Sequence, residues 1–371
     1  MREPADRTSD PHRLTTVDEI EATVGRPAPI VLRKQIATLD EGCRSVLAHS
    51  PVAALGYRDA DGTGRTTFIG GAPGFTRVHS PGRFSFGLPG GGTPHGAVSL
   101  FFLLPGVGET LRVNGSVASR KGARVTVDVK EAYVHCAQSV LRSGLWRPCD
   151  PPEPATGSGT GEGPLHRPGV AEFLAAAPFL ALSTWDSDGG SDTSPRGDHL
   201  TVARVADGRT LVIPDRKGNR RADTLHNLLQ DDRLSLAALV PGRGEVLHIG
   251  GRASITDDPA LLETMALRGR PPHLALLIDV EDAEVAANDA VSRSGMWTPR
   301  AEPGRDAGPD MIAVAGRHLA PEQADGRGGA PARLLQAIAA VPGLNRLIRR
   351  VMNRAYRTGL RKEGYDHIPR R

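Results

Sequence analysis

The stretch IPDRKGNRRADTLHNLL (213–229) leaves a β-branched run, turns at Lys217-Gly218 and enters a predicted helix over Arg220–Leu229, with Leu225, Leu228 and Leu229 on one face and Asn219 as its N-cap. Arg216, Arg220 and Arg221 crowd the helix start. Cations there oppose the helix dipole, at a cost of up to about 1 kcal/mol each. Free backbone N–H groups, the dipole and guanidinium forks together form a phosphate site. The same segment also reads as a solvated turn whose arginines pair with Asp215 and Asp223, and taken alone it leaves both readings open.

Upstream lies TSPRGD (193–198), where Ser194 and Arg196 alternate onto one face of an extended segment and Pro195 and Gly197 open the strand to close backbone approach. Such polar groups on an apolar wall suit a heterocycle with carbonyl and nitrogen acceptors; the plain alternative is an edge-strand turn.

Working outward, the chain repeats itself. Residues 45–65 align with 172–192 at an offset of 127, LLPGVGETLRVNG (103–115) with LVPGRGEVLHIGG (239–251) at 136, and EAYVHCAQSVLRSGLW (131–146) with DAEVAANDAVSRSGMW (282–297) at 151. A duplication follows, with nine and then fifteen extra residues in the second copy. Each copy opens on a helix end, a strand and a D-x-D-G hairpin turn, and reads on as short strands: Val52–Tyr57, Arg112–Val117, Leu180–Trp185, Thr210–Ile213, Leu234–Val240 and Leu274–Val280. Helices are expected at Thr16–Val24, Leu32–Ala48 and Pro259–Leu267. The 44 Gly and 30 Pro also argue against a helical bundle.

SPRGD and PDR-x-GN-x-R in the second copy, with ETLRVNG, EAYVHC and RSGLW in the first, resemble the pyridoxamine 5′-phosphate oxidase-like family of the FMN-binding split-barrel superfamily, over about 30–150 and 166–300. The resemblance implies a mainly β fold of two tandem split barrels forming an intramolecular pseudo-dimer, with FMN between them. It implies that Arg216, Asn219, Arg220 and Arg221 hold the phosphate, that Ser194, Arg196 and Asp198 line the flavin edge, and that Tyr133, His135, Arg142 and Trp146 belong to the facing wall. The divisions expected are an N-terminal extension (1–28), barrel one (29–150), a linker (151–165), barrel two (166–300), and a tether with a basic helix (301–371).

The two copies differ in complementary ways. The first has TFIGG (67–71) for SPRGD, so Ile69 replaces Arg196 and Gly71 replaces Asp198, and FGLPGGGTPHGAVS (86–99) carries no arginine where the phosphate loop belongs. The second has Ala286 and Ala287 for His135 and Cys136. Folding the copies together preserves one complete cleft and abandons the other. The expected function is FMN-dependent oxidoreduction of a small organic substrate, with Arg196 or Ser194 polarising the flavin edge and His135 as acid/base, substrate-binding or structural group. A non-catalytic flavin-binding protein, or a deazaflavin or haem user, is the alternative. Trp146 suits stacking or, since Trp297 matches it, packing; Arg142 is matched by Arg293 in the same way.

Other chemistry finds little support. Cys43, Cys136 and Cys149 form no C-x-x-C pair, and neither a disulfide framework nor a metal site is expected. Pro89–Gly92 lacks the Lys-Ser/Thr of a phosphate loop, and no hydrolase motif occurs. The net charge of +4 conceals a tail of +8 over 331–371 and a body of −4, so no nucleic-acid partner is expected. Leu344, Leu347, Ile348, Val351 and Met352 follow helical spacing opposite Arg346, Arg349, Arg350 and Arg354, an amphipathic helix suited to docking on the body or to peripheral membrane contact. With no apolar leader or membrane span, a cytoplasmic monomer is expected.

Overall fold

The computed structural model describes residues 10–147, 162–199, 202–298, 308–319, 344–365 and 368. Most of the Pro/Gly linker (151–165) and of the 301–330 tether lies outside these residues. Strand β1 (Arg13–Leu14) and helices α1 (Val17–Val24), α2 (Pro29–Arg33) and α3 (Glu41–His49) come first. The first sheet comprises β2 (Val52–Arg58), β3 (Gly64–Gly70), β4 (Arg77–Ser80), β5 (Arg83–Gly87), β6 (His95–Leu103), β7 (Thr110–Lys121) and β8 (Arg124–His135), followed by α4 (Gln138–Ser143). After α5 (Val170–Ala176) the second comprises β9 (Phe179–Trp185), β10 (Ser191–Gly197), β11 (Arg204–Val205), β12 (Thr210–Asp215), β13 (Arg233–Leu239), β14 (Glu245–Thr256) and β15 (Leu274–Ala287). Helix α6 (Asp223–Gln230) lies between β12 and β13, and α7 (Pro259–Glu263) between β14 and β15. Helices α8 (Asp289–Ser294), α9 (Met311–Leu319) and α10 (Leu344–Lys362) are the last elements among the described residues.

Both sheets are antiparallel and share one topology: β3-β2-β6-β7-β8-β5-β4 in the first and β10-β9-β13-β14-β15-β12-β11 in the second, where β1 adds to β14. The registers repeat as well. Val52↔Gly70 becomes Phe179↔Gly197, Leu100↔Val113 becomes Leu236↔Ile249, and Arg112↔Tyr133 becomes His248↔Glu284. A bulge after Asn114 recurs after Gly250. The duplication seen in sequence is therefore a duplication of strand pairing, and the nine extra residues of the second copy fall between β12 and β13. The hairpin turns also match: Gly62 and Gly189 sit at φ 84° and 80°, a region that only glycine occupies without strain.

Three local expectations are corrected. Leu32–Ala48 is not one helix: α2 ends at Arg33, Ile36 bridges to Ala132 of β8, and Asp40 restarts the chain as the α3 N-cap by accepting the Cys43 N–H at 2.7 Å. The helix expected from Arg220 begins at Asp223, because Arg220 and Ala222 adopt left-handed φ of 61° and 57° and cannot continue a right-handed helix. Within the expected tether, Met311–Leu319 is helical, burying Met311, Val314 and His318 at helical spacing against the first core. The Thr16–Val24 helix forms, with Thr16 and Glu19 as a capping box.

Each sheet covers its own core. The first core receives α3 and α9. The second receives Leu14 of β1 and Ile20 of α1, so these two elements pack on the second copy. A third core joins the sheets: Val52, Ala54, Phe101, Leu103 and Leu145 meet Phe179, Ala181, Ala237, Leu239 and Met296, with Phe101 edge-on to Phe179 at 6.1 Å. Beside it runs a buried polar seam in which Thr66 donates to Ser183 Oγ at 2.8 Å and Ser99 pairs with Thr193 at 2.6 Å. Gly56 permits this approach, since a Cβ there would lie 2.2 Å from the Ser183 and Thr193 oxygens. At the end of the seam Arg112 of β7 pairs with Asp192 of β10, their side chains 2% and 6% exposed.

No helix among the described residues is long and apolar enough to cross a membrane. The end of α10 docks on the body: Leu360, Tyr365 and Ile368 are buried against Leu141 and Leu267. Removing one partner of a buried pair strands the other charge, so Asp192→Ala is expected to lower unfolding free energy by about 3–5 kcal/mol in a denaturant titration; a loss below 1 kcal/mol would show that the pair does not hold the sheets together.

Candidate functional site

A cleft of about 840 Å³, counting its open mouth, lies where β10 and the β12–α6 loop of the second sheet meet β7, the end of β8 and α4 of the first. Ser194, Arg196, Asp198, Arg216, Asn219, Arg220 and Arg221 line it from one side and His135 and Arg142 from the other. The structure thus brings nine of the sequence-derived site residues to one place. Tyr133 is buried just behind, with the Arg221 guanidinium 4.4 Å and that of Arg112 5.3 Å from its ring centre. Trp146 lies elsewhere: it packs against the core between the sheets and donates to Val107 O at 2.8 Å, which is the packing role.

β10 reaches the cleft because the Ser139 hydroxyl of α4 donates to Pro195 O at 2.9 Å. Gly197 is required at this contact, since a Cβ there would stand 2.0 Å from Ser139 O. Ser194 Oγ lies 3.0 Å from Thr224 Oγ1 on α6. The charges are interlaced: Arg196 pairs with Asp215 at 2.5 Å, Arg216 with Asp198 at 2.7 Å and Arg221 with Asp223 at 2.7 Å. Arg142 binds Lys217 O and, at 2.8 Å, Glu363 beyond α10. Arg220 is exposed and, among the described residues, has no carboxylate partner. Six arginines and four aspartates line the cleft, leaving it cationic.

Two features of the β12–α6 loop suit it to an anion. Asn219 Oδ1 turns back to accept the Arg221 N–H at 3.2 Å instead of capping the helix, and α6 has no side-chain cap, so its first N–H groups face an unfilled demand. Arg220 and Ala222 hold left-handed backbone, which costs free energy and clusters at ligand sites. Deeper in, Arg196 Nε, Arg112 Nε, His135 Nδ1 and the Tyr133 hydroxyl are sealed from solvent without a hydrogen-bond partner. Orphaned donors and acceptors from both sheets at one cleft fit a polar, acceptor-rich ligand carrying an anionic end.

Sequence reading missed several of these residues. Arg112, Asp192, Asp215, Asp223 and Thr224 line the cleft, as does Val24 from the end of α1. A signal for Arg112 was present in LRVNG, where the second copy has His248 at the paired position. Nothing local pointed to Val24.

The equivalent cleft on the other side of the interface has opposite character. Thr67 and Ile69 stand there for Ser194 and Arg196, His248 for Arg112, and Ala286 and Ala287 for His135 and Cys136. Its charged lining is Asp59, Glu281, Asp282, Glu284 and Asp289 against Arg65 and a His248 whose pKa burial lowers. An anion is repelled there.

Residues 167–305 match the protein family described as pyridoxamine 5′-phosphate oxidase. The second copy belongs to the pyridoxamine 5′-phosphate oxidase-like, FMN-binding split-barrel superfamily. Solved structures similar to this chain include HupZ of Group A Streptococcus, with 19% identity over 32% of this chain and 93% of that one and a TM-score of 0.27. A putative pyridoxamine 5′-phosphate oxidase of Lactobacillus delbrueckii has 18% identity over 29% and 83%, TM-score 0.24. PhzG of Burkholderia lata 383, solved with tetrahydrophenazine-1-carboxylic acid, has 16% identity over 31% and 71%, TM-score 0.22. No curated protein matches.

In this cleft, desolvation, reinforced by Arg112, Lys34, Arg221 and Arg196, drives the His135 pKa well below its usual value. The imidazole is therefore neutral at pH 7, fit to exchange hydrogen bonds but not to donate a proton as an imidazolium. Burial likewise raises the Cys136 thiol, disfavouring a thiolate nucleophile, and pushes Tyr133 up to about 12. Because the folded state binds fewer protons at His135 than the unfolded chain, its effect on stability is absent above about pH 6.5 and becomes a growing loss below it. Denaturation midpoints measured from pH 7.5 to 5 are expected to fall less steeply for His135→Gln than for the wild type; identical slopes would contradict a desolvated, neutral imidazole.

Proposed function

We propose that the protein is an FMN-dependent oxidoreductase acting on a small organic substrate, with one flavin per chain in the cationic cleft between two split barrels that form an internal pseudo-dimer. The observation carrying this reading is the asymmetry of the two clefts: both sheets contribute orphaned polar atoms to the one that holds the arginines, while its counterpart is acidic. The family match to the second copy supports the same cofactor class.

In this reading the uncapped start of α6, Asn219 and the guanidinium groups of Arg216, Arg220 and Arg221 hold the phosphate. Arg220 is available at once, whereas Arg216 and Arg221 exchange part of their pairing with Asp198 and Asp223. Ser194 and Arg196 present O–H and N–H donors to ring acceptors, and Asp198 keeps the Arg216 fork oriented from behind. Tyr133, stacked against Arg112 and Arg221, holds the facing wall rigid. FMN, when bound, supplies hydride transfer to or from the substrate. The chain supplies orientation and a partly dehydrated site, with neutral His135 and cationic Arg142 facing the substrate side.

Released cofactor from purified protein is expected at one flavin per polypeptide; two would contradict the single-cleft reading. Arg220→Ala with Arg221→Ala removes two charge-assisted contacts worth about 1.5–3 kcal/mol each, so flavin affinity should fall at least a hundredfold. Bound flavin that no reductant or electron acceptor turns over would instead indicate a non-catalytic flavin carrier.

A further inference from the structure

Far from the cleft, on the outer side of the first core, three side chains with metal-binding atoms converge. Asp40 and Cys43 occupy the N-cap and third positions of α3, and His318 comes from α9, 275 residues along the chain. Asp40 uses Oδ1 to cap the Cys43 N–H at 2.7 Å, which turns Oδ2 toward His318 Nε2 at 3.5 Å; that nitrogen lies 3.6 Å from Cys43 Sγ. The three donor atoms lie within 4.8 Å of one another.

We propose that Asp40, Cys43 and His318 form a structural site for a zinc-like divalent cation, which staples α9 to the first sheet. Metal–ligand distances of about 2.3 Å to sulfur and about 2.0–2.1 Å to nitrogen or oxygen place tetrahedral ligands roughly 3.3–3.6 Å apart, close to the two separations seen. A thiolate, an imidazole and a carboxylate select a borderline-soft ion over magnesium or calcium. Their charges neutralise it, so a buried site carries no net charge.

Burial argues in the same direction. Cys43 is fully buried and the His318 side chain is 1% exposed, while the Asp40 side chain, at 31%, leaves a path for ion entry and for a water as fourth ligand. A thiol this enclosed reaches no substrate, which excludes a catalytic reading of the same trio. Nε2 is the His318 nitrogen that faces Cys43 Sγ and Asp40 Oδ2, while Nδ1 is sealed on the far side of the ring without a hydrogen-bond partner. Arg317 Nε stands 3.9 Å from Asp40 Oδ2 and competes for that carboxylate. Coordination replaces the Cys43 thiol proton, which passes to the buffer.

The test uses the full chain, stripped with a chelator and titrated with Co2+ under reducing conditions. One equivalent is expected to bind, with a thiolate-to-cobalt absorption in the near ultraviolet and visible bands of tetrahedral intensity, both lost on adding Zn2+. Cys43→Ser should abolish the near-ultraviolet band and Cys136→Ser retain it. His318→Gln should weaken binding at least tenfold, and Arg317→Ala should tighten it. Absence of saturable binding by the stripped wild type, weak octahedral bands, or a thiolate band that survives in Cys43→Ser would overturn the proposal. Flavin content does not enter, so this site and the cleft fail independently.

Discussion

The contact between the two sheets is the constraint on which everything else in this molecule rests. Phe101 against Phe179 and the aliphatic residues around them remove apolar surface that neither sheet can cover alone, and the buried Arg112–Asp192 pair fixes how the sheets sit against each other. A buried pair tolerates little displacement, because each charge has given up water for one partner. The same pair lines the candidate cleft, so the interaction that sets the packing also sets the distance between β10 and the end of β8.

Duplication followed by specialisation explains the rest of the layout. Two identical copies would produce two identical clefts related by a pseudo-twofold axis, the outcome of an isologous interface. Here the extra residues between β12 and β13 supply a charged loop and helix on one side, and alanines at 286 and 287 remove the facing groups on the other. Ile69, where the second copy has Arg196, has joined the first core. The abandoned side kept its share of the interface, including Trp297, whose indole donates to Leu145 O at 2.8 Å, because the contact between the sheets needs both halves.

Ion pairing decides how the cleft is kept ready. Two arginines of the β12–α6 loop do not project freely, as a phosphate reading of the sequence would picture them: Asp198 holds Arg216 and Asp223 holds Arg221, while Asp215 holds Arg196 of β10. Of the two readings of that segment, the pairing with Asp223 is the one the ion pairs display. Carboxylates spread among the guanidinium groups limit repulsion when no anion is bound, and the unpaired Arg220 keeps the balance positive.

Strand pattern, D-x-D-G turns and the internal offsets were legible in the sequence because they are local: period-two alternation and turn chemistry act between neighbours, and pairing register then preserves the offsets in space. The cleft residues were legible for a related reason, since SPRGD and the basic loop lie on short segments whose counterparts in the other copy had changed. Tertiary structure alone decided what depends on distant partners. It put Trp146 into packing, brought Val24 and Arg112 to the cleft, broke the expected 32–48 helix at a bridge from Ile36 to Ala132, and drew His318 across 275 residues to Cys43. Spacing along a chain carries no information about such meetings, because burial of apolar faces, not sequence proximity, chooses which side chains share a space.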